Sequence, residues 1–313
     1  MNPKQKTKWS AIALPLTAIL LLGACAGQSS ADTSATTSSN GGTASADSGA
    51  STVSSNFLGS YKINDAEFGT EVTVTVDGDT RTMKTNALPD TETGEFPNSG
   101  NPNTISSQSL TYSYPIDPNY VGNATEVRTT GVAINGVKFE PGTAESVTCA
   151  SGETYRVEGL QDTYNLGMDF NNAHVQPTGE YHYHGVSDLM VDVFESDEDL
   201  VHVGFAADGF LMYYSKSGAY KPGYTLSTQE RTGTDCTGSG ALRSSSVDIE
   251  GTTPDGTYTS DWVFDEASGS LDRCNGTTVN GEYAYLITES YPFVGRCLNG
   301  EVSEERVGPP PGR

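Results

Sequence analysis

The stretch "TEVTVTVDGDTRTMKT", residues 70–85, alternates apolar and polar side chains on both sides of an Asp-Gly dipeptide. A period of two puts every second residue on one face of an extended chain. The D-G dipeptide supplies the tight turn that joins two such runs, so the stretch predicts a β-hairpin. The same signature continues along the chain. "SLTYSYPI" (109–116), "TGVAINGVKFEP" (130–141), "ETYRVEGL" (153–160), "DLMVDVFE" (188–195), "LVHVGFAADGFLMYY" (200–214) and "GEYAYLIT" (281–288) are short runs bounded by Gly, Pro, Asn or Asp. Few windows show a helical period of 3.6 residues. Residues 142–169 are expected to hold at most a short helix. The expected fold class is therefore mostly β: a single β-rich domain, sandwich or barrel-like, over residues 56–305, with long loops and few short helices.

Composition agrees. The 313 residues include 35 glycines and 16 tyrosines, and hydrophobic residues make up 35%, which suits a turn-rich β protein. The formal net charge of -23 excludes nucleic acid as a partner, because such a surface repels phosphate backbones.

Both ends read differently. Lys4, Lys6 and Lys8 precede the apolar run "AIALPLTAILLLGA" (11–24), which is shorter than the ~20 residues of a spanning helix. The run ends in "LGAC", similar to the bacterial lipobox. That resemblance implies a lipoprotein signal peptide over residues 1–24, with Cys25 lipidated and mature at that residue. The expected location is the cell envelope, outside the cytoplasm, anchored to the outer membrane or cell surface. Residues 25–55 are almost entirely Ser, Thr, Ala, Gly and Asp, with no large apolar residue before Val53, the composition of a flexible linker. The tail 306–313 carries "VGPPPGR" and is expected to be disordered. Possible further partners are an envelope protein, a glycan or cations.

Four cysteines remain: Cys149, Cys236, Cys274 and Cys297. An even count in an exported chain points to disulfides, and four cysteines allow three pairings. Residues 275–296 read as a hairpin whose ends meet, which favours Cys274 with Cys297 and leaves Cys149 with Cys236. A four-thiolate metal site is the competing reading, but no C-x-x-C pair exists.

All four histidines lie within 29 residues, three of them in "NNAHVQPTGEYHYHGVSD" (171–188). On a strand, His182 and His184 face one way and Tyr181 and Tyr183 the other. Two residues advance about 6.6 Å, near enough for both rings to reach one ion. His174 lies across "VQPTG", a turn that returns it to the same place. Three imidazoles leave coordination positions open, as a catalytic zinc or copper site requires. A polar strand face of ordinary hydrogen-bonded histidines is the plainer alternative. His202 is expected on the surface of a strand. A set of ligands drawn from two neighbouring strands, as in α-carbonic anhydrases, is its alternative role. Asp208, in a D-G turn, is a candidate oxygen ligand or an acceptor that fixes a histidine tautomer. The acidic run 192–200 lacks calcium-loop spacing and reads as a solvated loop. No G-x-S-x-G or phosphate-loop motif is present.

These residues resemble a known family. "NNAHVQPTGEYHYHG" is similar to the signature of the YHYH-domain proteins. Residues 85–108, 131–145, 203–214 and 269–297 resemble further segments of that family in the same order. The resemblance covers roughly residues 60–300. It implies His174, His182, His184 and Asp208 as the site, and Cys274 with Cys297 as a disulfide. Leu211 and Val186 stand where the family often has proline. The resemblance implies no particular reaction. The function expected is metal binding by an anchored lipoprotein, for hydrolysis, hydration or metal handling. A non-catalytic surface module with a structural histidine cluster is the alternative.

Overall fold

The computed structural model describes residues 57–194 and 197–302. The signal segment, Cys25, the linker to residue 55 and the tail 306–313 lie outside the described residues.

The hairpin forms as the alternation predicts. Val72 and Val74 on Glu71–Asp77 and Met83 on Thr80–Thr85 are buried, while the threonines between them are not. Asp77 pairs with Thr80, so the turn is the two residues Gly78 and Asp79, and Gly78 sits at φ 55° where a side chain would be strained. Tyr61–Asn64 and Leu110–Pro115 flank this hairpin to complete a four-stranded antiparallel sheet. Its inner face shares one core with Val132, Phe139, Val203 and Phe205 of a larger sheet. Arg81, also on that face, lays its guanidinium 4.2 Å from the Phe205 ring centre and donates to the Leu58 carbonyl at 2.9 Å. The cation thus keeps an aromatic face and a carbonyl in place of water.

The larger sheet has eight strands. Their order is Ala173–Val175, Tyr181–Tyr183, Lys138–Phe139, Gly131–Ala133, Leu200–Ala206, Leu211–Ser215, Glu282–Ile287 and Gly276–Val279. Two neighbours run parallel: Tyr181–Tyr183 beside Lys138–Phe139, and Leu211–Ser215 beside Glu282–Ile287. The other pairs are antiparallel. Among the described residues the sheets are open and no barrel closes, so the β-rich expectation holds without its barrel variant.

One segment departs from the sequence reading. The run read as a strand from residue 188 is not one: Asp188–Phe194 is an α-helix that buries Met190, Val191 and Phe194. Ser187 explains it, because its Oγ accepts from the Met190 N–H at 3.1 Å and its carbonyl from the Val191 N–H at 3.0 Å. That is an N-cap, reinforced by Asp188 in the first turn. Residues 142–169 hold no helix. Gly142–Cys149 and Thr154–Glu158 pair antiparallel around a turn in which Gly152 takes φ 113°. Val147, Tyr155 and Val157 alternate into a second core, which outweighs any local helical preference.

This third sheet continues through Cys236–Gly238 and Ser246–Val247. Cys149 and Cys236 are direct cross-strand partners and form one disulfide. Cys274 and Cys297 form the other. Both pairings are those favoured from the sequence. The thiols are therefore consumed by the fold, and no four-thiolate metal site exists. Cys297–Gly300 pairs with Tyr120–Glu126 in a two-stranded ribbon.

The two bridges enclose 87 and 23 residues. Chain entropy assigns them about 5 and about 3 kcal/mol of stabilisation. Thermal or denaturant unfolding without reductant is expected to show the larger loss for Cys149→Ser/Cys236→Ser. Equal losses would mean that native-state contacts, and not loop closure, set the difference.

Candidate metal centre

The site begins with register. Ala173–Val175 and Tyr181–Tyr183 pair antiparallel with His174 directly opposite His182. Cross-strand partners project to the same face, so both rings stand on one side of the sheet. His184 is two residues beyond His182 and returns to that side. Its N–H donates to the Asn172 carbonyl at 2.8 Å, extending the ladder by one step. The connecting turn is Gln176–Glu180, closed by the Gln176 N–H to the Glu180 carbonyl at 2.9 Å. Gly179 takes φ 84° there, and a Cβ on it would lie 2.0 Å from the Ser106 hydroxyl.

The alternate residues anchor the strand. Tyr181 and Tyr183 are buried in the main core. The Tyr181 hydroxyl donates to Asp169 at 2.7 Å, and the Tyr183 hydroxyl accepts from Asn135 at 3.1 Å. Each buried hydroxyl thus has a partner, which holds the backbone between the two histidines.

The three imidazoles converge through the same atom. Nε2 of His184 lies 3.1 Å from Nε2 of His174 and 3.0 Å from Nε2 of His182. Two nitrogens 3.0–3.1 Å apart, each 2.0–2.1 Å from one ion, subtend roughly 95° at it. Among the described residues these three are the group whose ligand atoms all lie close enough, within 4.8 Å, to hold one metal ion. His174 Nδ1 donates to the Leu166 carbonyl at 2.9 Å, which leaves its Nε2 as a lone pair. Nδ1 of His182 and Nδ1 of His184 are buried with no hydrogen bond of good geometry. The backbone oxygens of Glu180 and Pro141 lie beside those rings and favour protons on them. Three Nε2 atoms gathered this way satisfy one another poorly by hydrogen bonding, since only a proton on one of them can serve the other two. A cation at the centre satisfies all three.

Burial sets the protonation state. His182 and His184 are each 2% exposed, and His174 is half-buried. Burial is the largest cause lowering the pKa of all three. The neighbouring imidazoles add to it at His182 and His184, and Lys138 adds further at His182. Neutral imidazole is the form that binds a metal.

A charged belt surrounds this face. Lys138, the parallel partner of His182, puts its ammonium 2.7 Å from Glu140, 3.2 Å from Glu180 and 3.0 Å from the Gln176 amide oxygen. Arg128 takes the other Glu140 oxygen. These cations outweigh burial and hold the Glu140 carboxyl below its ordinary range. His174 and His182 open onto a cleft of about 750 Å³ that is also lined by Asn101, Glu145, Arg128 and Arg243.

The structure brings together three of the four residues expected as ligands. Asp208 goes elsewhere. Its carboxylate accepts from the Tyr285 hydroxyl at 2.6 Å and the Gly300 N–H at 2.9 Å. A Cβ at Gly300 would lie 2.6 Å from it. Asp208 therefore ties the 200–215 hairpin to the C-terminal strand, and it is neither a ligand nor the acceptor fixing a histidine. His202 is also corrected, since it is a core residue and not a surface one. Its Nε2 meets the Gly204 carbonyl at 3.0 Å, and its ring packs on Phe205 and Tyr213. A break in strand register between His202 and Gly204 brings that carbonyl to the ring. Sequence reasoning missed Leu166, whose backbone oxygen carries no sequence signal. It also missed Gly159, where a Cβ would lie 2.5 Å from His184 Nδ1.

With this geometry in hand, comparison with known proteins becomes specific. Residues 111–300 match the family model described as YHYH protein. The chain belongs to the YHYH family. No curated protein and no solved structure matches it. The family tetrapeptide is residues 181–184, so it supplies two of the three converging imidazoles and both anchoring tyrosines. The first three strands of the N-terminal sheet and Leu110 lie outside the match, and the rest of its fourth strand lies within it.

Two outcomes follow from this packing. Gly159→Ala must displace the His184 ring, and if the triad holds a metal its affinity, measured by chelator competition, is expected to fall about tenfold. Wild-type affinity in that variant would show that the ring is not held by this contact. Burial pushes His202 down to about 4, below its unfolded value of about 6.5. The unfolded chain then binds the extra proton, so stability is full above pH 6.5 and lost as pH falls toward 4, by up to roughly 3 kcal/mol. His202→Gln keeps a donor for the Gly204 carbonyl and should flatten that part of the stability profile. An unchanged slope would place the acid sensitivity in other groups.

Proposed function

We propose that this protein binds one transition metal ion, zinc or copper, through Nε2 of His174, His182 and His184. The observation that carries the reading is the convergence of three Nε2 atoms with 3.0–3.1 Å between neighbours. An all-imidazole set suits zinc and copper and is a poor match for magnesium or calcium, which prefer oxygen. Three protein ligands on one face leave the cleft side open, the arrangement of catalytic and not of structural zinc sites. A metal there would polarise a bound water for hydrolysis or hydration. Holding the ion without turnover is the other form of the same reading. The lipobox-like "LGAC" supports placing this activity at the cell envelope, with Cys25 as the lipid anchor.

Purified protein without a histidine tag is expected to carry, or to take up on titration, about one equivalent of metal by elemental analysis. His182→Ala/His184→Ala should abolish this while circular dichroism stays that of a β protein. Folded wild-type protein that holds no metal and binds none on titration would overturn the proposal.

A further inference from the structure

The charges around the triad point to what meets the ion's open side. The three imidazoles are neutral ligands and bring no negative charge to a dication. The nearby fixed charges nearly cancel, with Asp169 beside His174 adding one further carboxylate. Arg128, Lys138 and Arg243 stand against Glu140, Glu145 and Glu180 around the triad and its cleft. Lys138 and Arg128 are engaged with Glu140, and Lys138 also with Glu180. An ion at the triad therefore keeps about one of its two positive charges uncompensated at the foot of the cleft, and it becomes the dominant local charge. Its surroundings differ sharply in sign from a chain of net charge -23.

Arg243 adds direction. It lines the same cleft, is exposed, and pairs with no carboxylate among the described residues. Its backbone is fixed by the turn Gly240–Leu242, where the Arg243 N–H donates to the Gly240 carbonyl at 3.0 Å. The Cys149–Cys236 bridge secures that wall, since it joins the strands that lead into Gly142–Glu145 and into this turn. In so acidic a protein, an unpaired guanidinium on a cleft wall is a ready fork for oxygen anions. Asn101 and Asn103, which also line the cleft, each donate one amide N–H to the Val175 carbonyl, which fixes both side chains.

We infer that the cleft beside the histidine triad takes a small oxyanion, a carboxylate in the first instance, with the metal's open position and Arg243 as its recognition elements. This rests on the metal-binding reading and names the ligand class of that site. Binding involves no covalent step, only exchange of a metal-bound water for a carboxylate oxygen.

The test uses the full-length protein loaded with cobalt(II), whose visible bands report its coordination. Acetate is the anionic probe and imidazole the neutral one. Acetate is expected to shift the bands saturably in wild type. Arg243→Gln, an exposed change, should weaken acetate by roughly threefold to tenfold and leave cobalt stoichiometry and imidazole affinity unchanged. If cobalt binds one to one but acetate leaves the bands unmoved, the inference is overturned while the metal reading survives. Equal weakening of acetate and imidazole in the variant overturns the role of Arg243. If folded wild type binds no cobalt, zinc or copper, both readings fall together.

Discussion

The opposition of His174 to His182 across two antiparallel strands governs the rest of this protein. A slip of the 181–184 strand by one residue would turn His182 and His184 into the core and both tyrosines out of it, and leave His174 without its partners. The register is pinned from each side. The tight Gln176–Glu180 turn fixes it at one end, and the His184 N–H bond to Asn172 fixes it at the other. The buried tyrosines make the alternative register costly, because two large side chains with partnered hydroxyls would lose both their packing and their bonds.

Desolvation then acts on what the register has assembled. Three rings buried together cannot all charge, so they remain neutral and present lone pairs at one point. The same burial obliges neighbouring charges to pair. Lys138 lies under the triad and is tolerated because Glu140, Glu180 and Gln176 satisfy its three N–H bonds. The result is a charge-paired polar floor around three imidazoles that could hold a cation. Asp208 follows the same rule at a distance: burial raises its pKa, and two donors from the C-terminal strand region offset that cost.

The helix at Asp188–Phe194 and the strand at Gly142–Cys149 show where pattern reading stops. Five of the seven residues in "DLMVDVF" are apolar, and such a run suits a buried strand as well as a helix. The cap from Ser187 decided it locally. In the 142–169 segment the tertiary partner decided, since Cys236–Gly238 offers Gly142–Cys149 an edge to pair with. Gly159 and the Leu166 carbonyl were invisible for a different reason. One matters by lacking a side chain and the other through its backbone, and neither has a pattern until the chain is folded around His184.

Period-two alternation, turn dipeptides and the crowding of scarce histidines were enough, by themselves, to determine a β-rich chain, its cysteine pairing and three of the site residues. Those are local properties, set by side-chain spacing over a few residues. Which atom of each ring faces inward, that Asp208 serves the C-terminal strand, and that His202 belongs to the core were decided only by tertiary structure. Those outcomes depend on contacts between segments tens of residues apart, where packing and desolvation choose among partners that a linear pattern leaves equivalent.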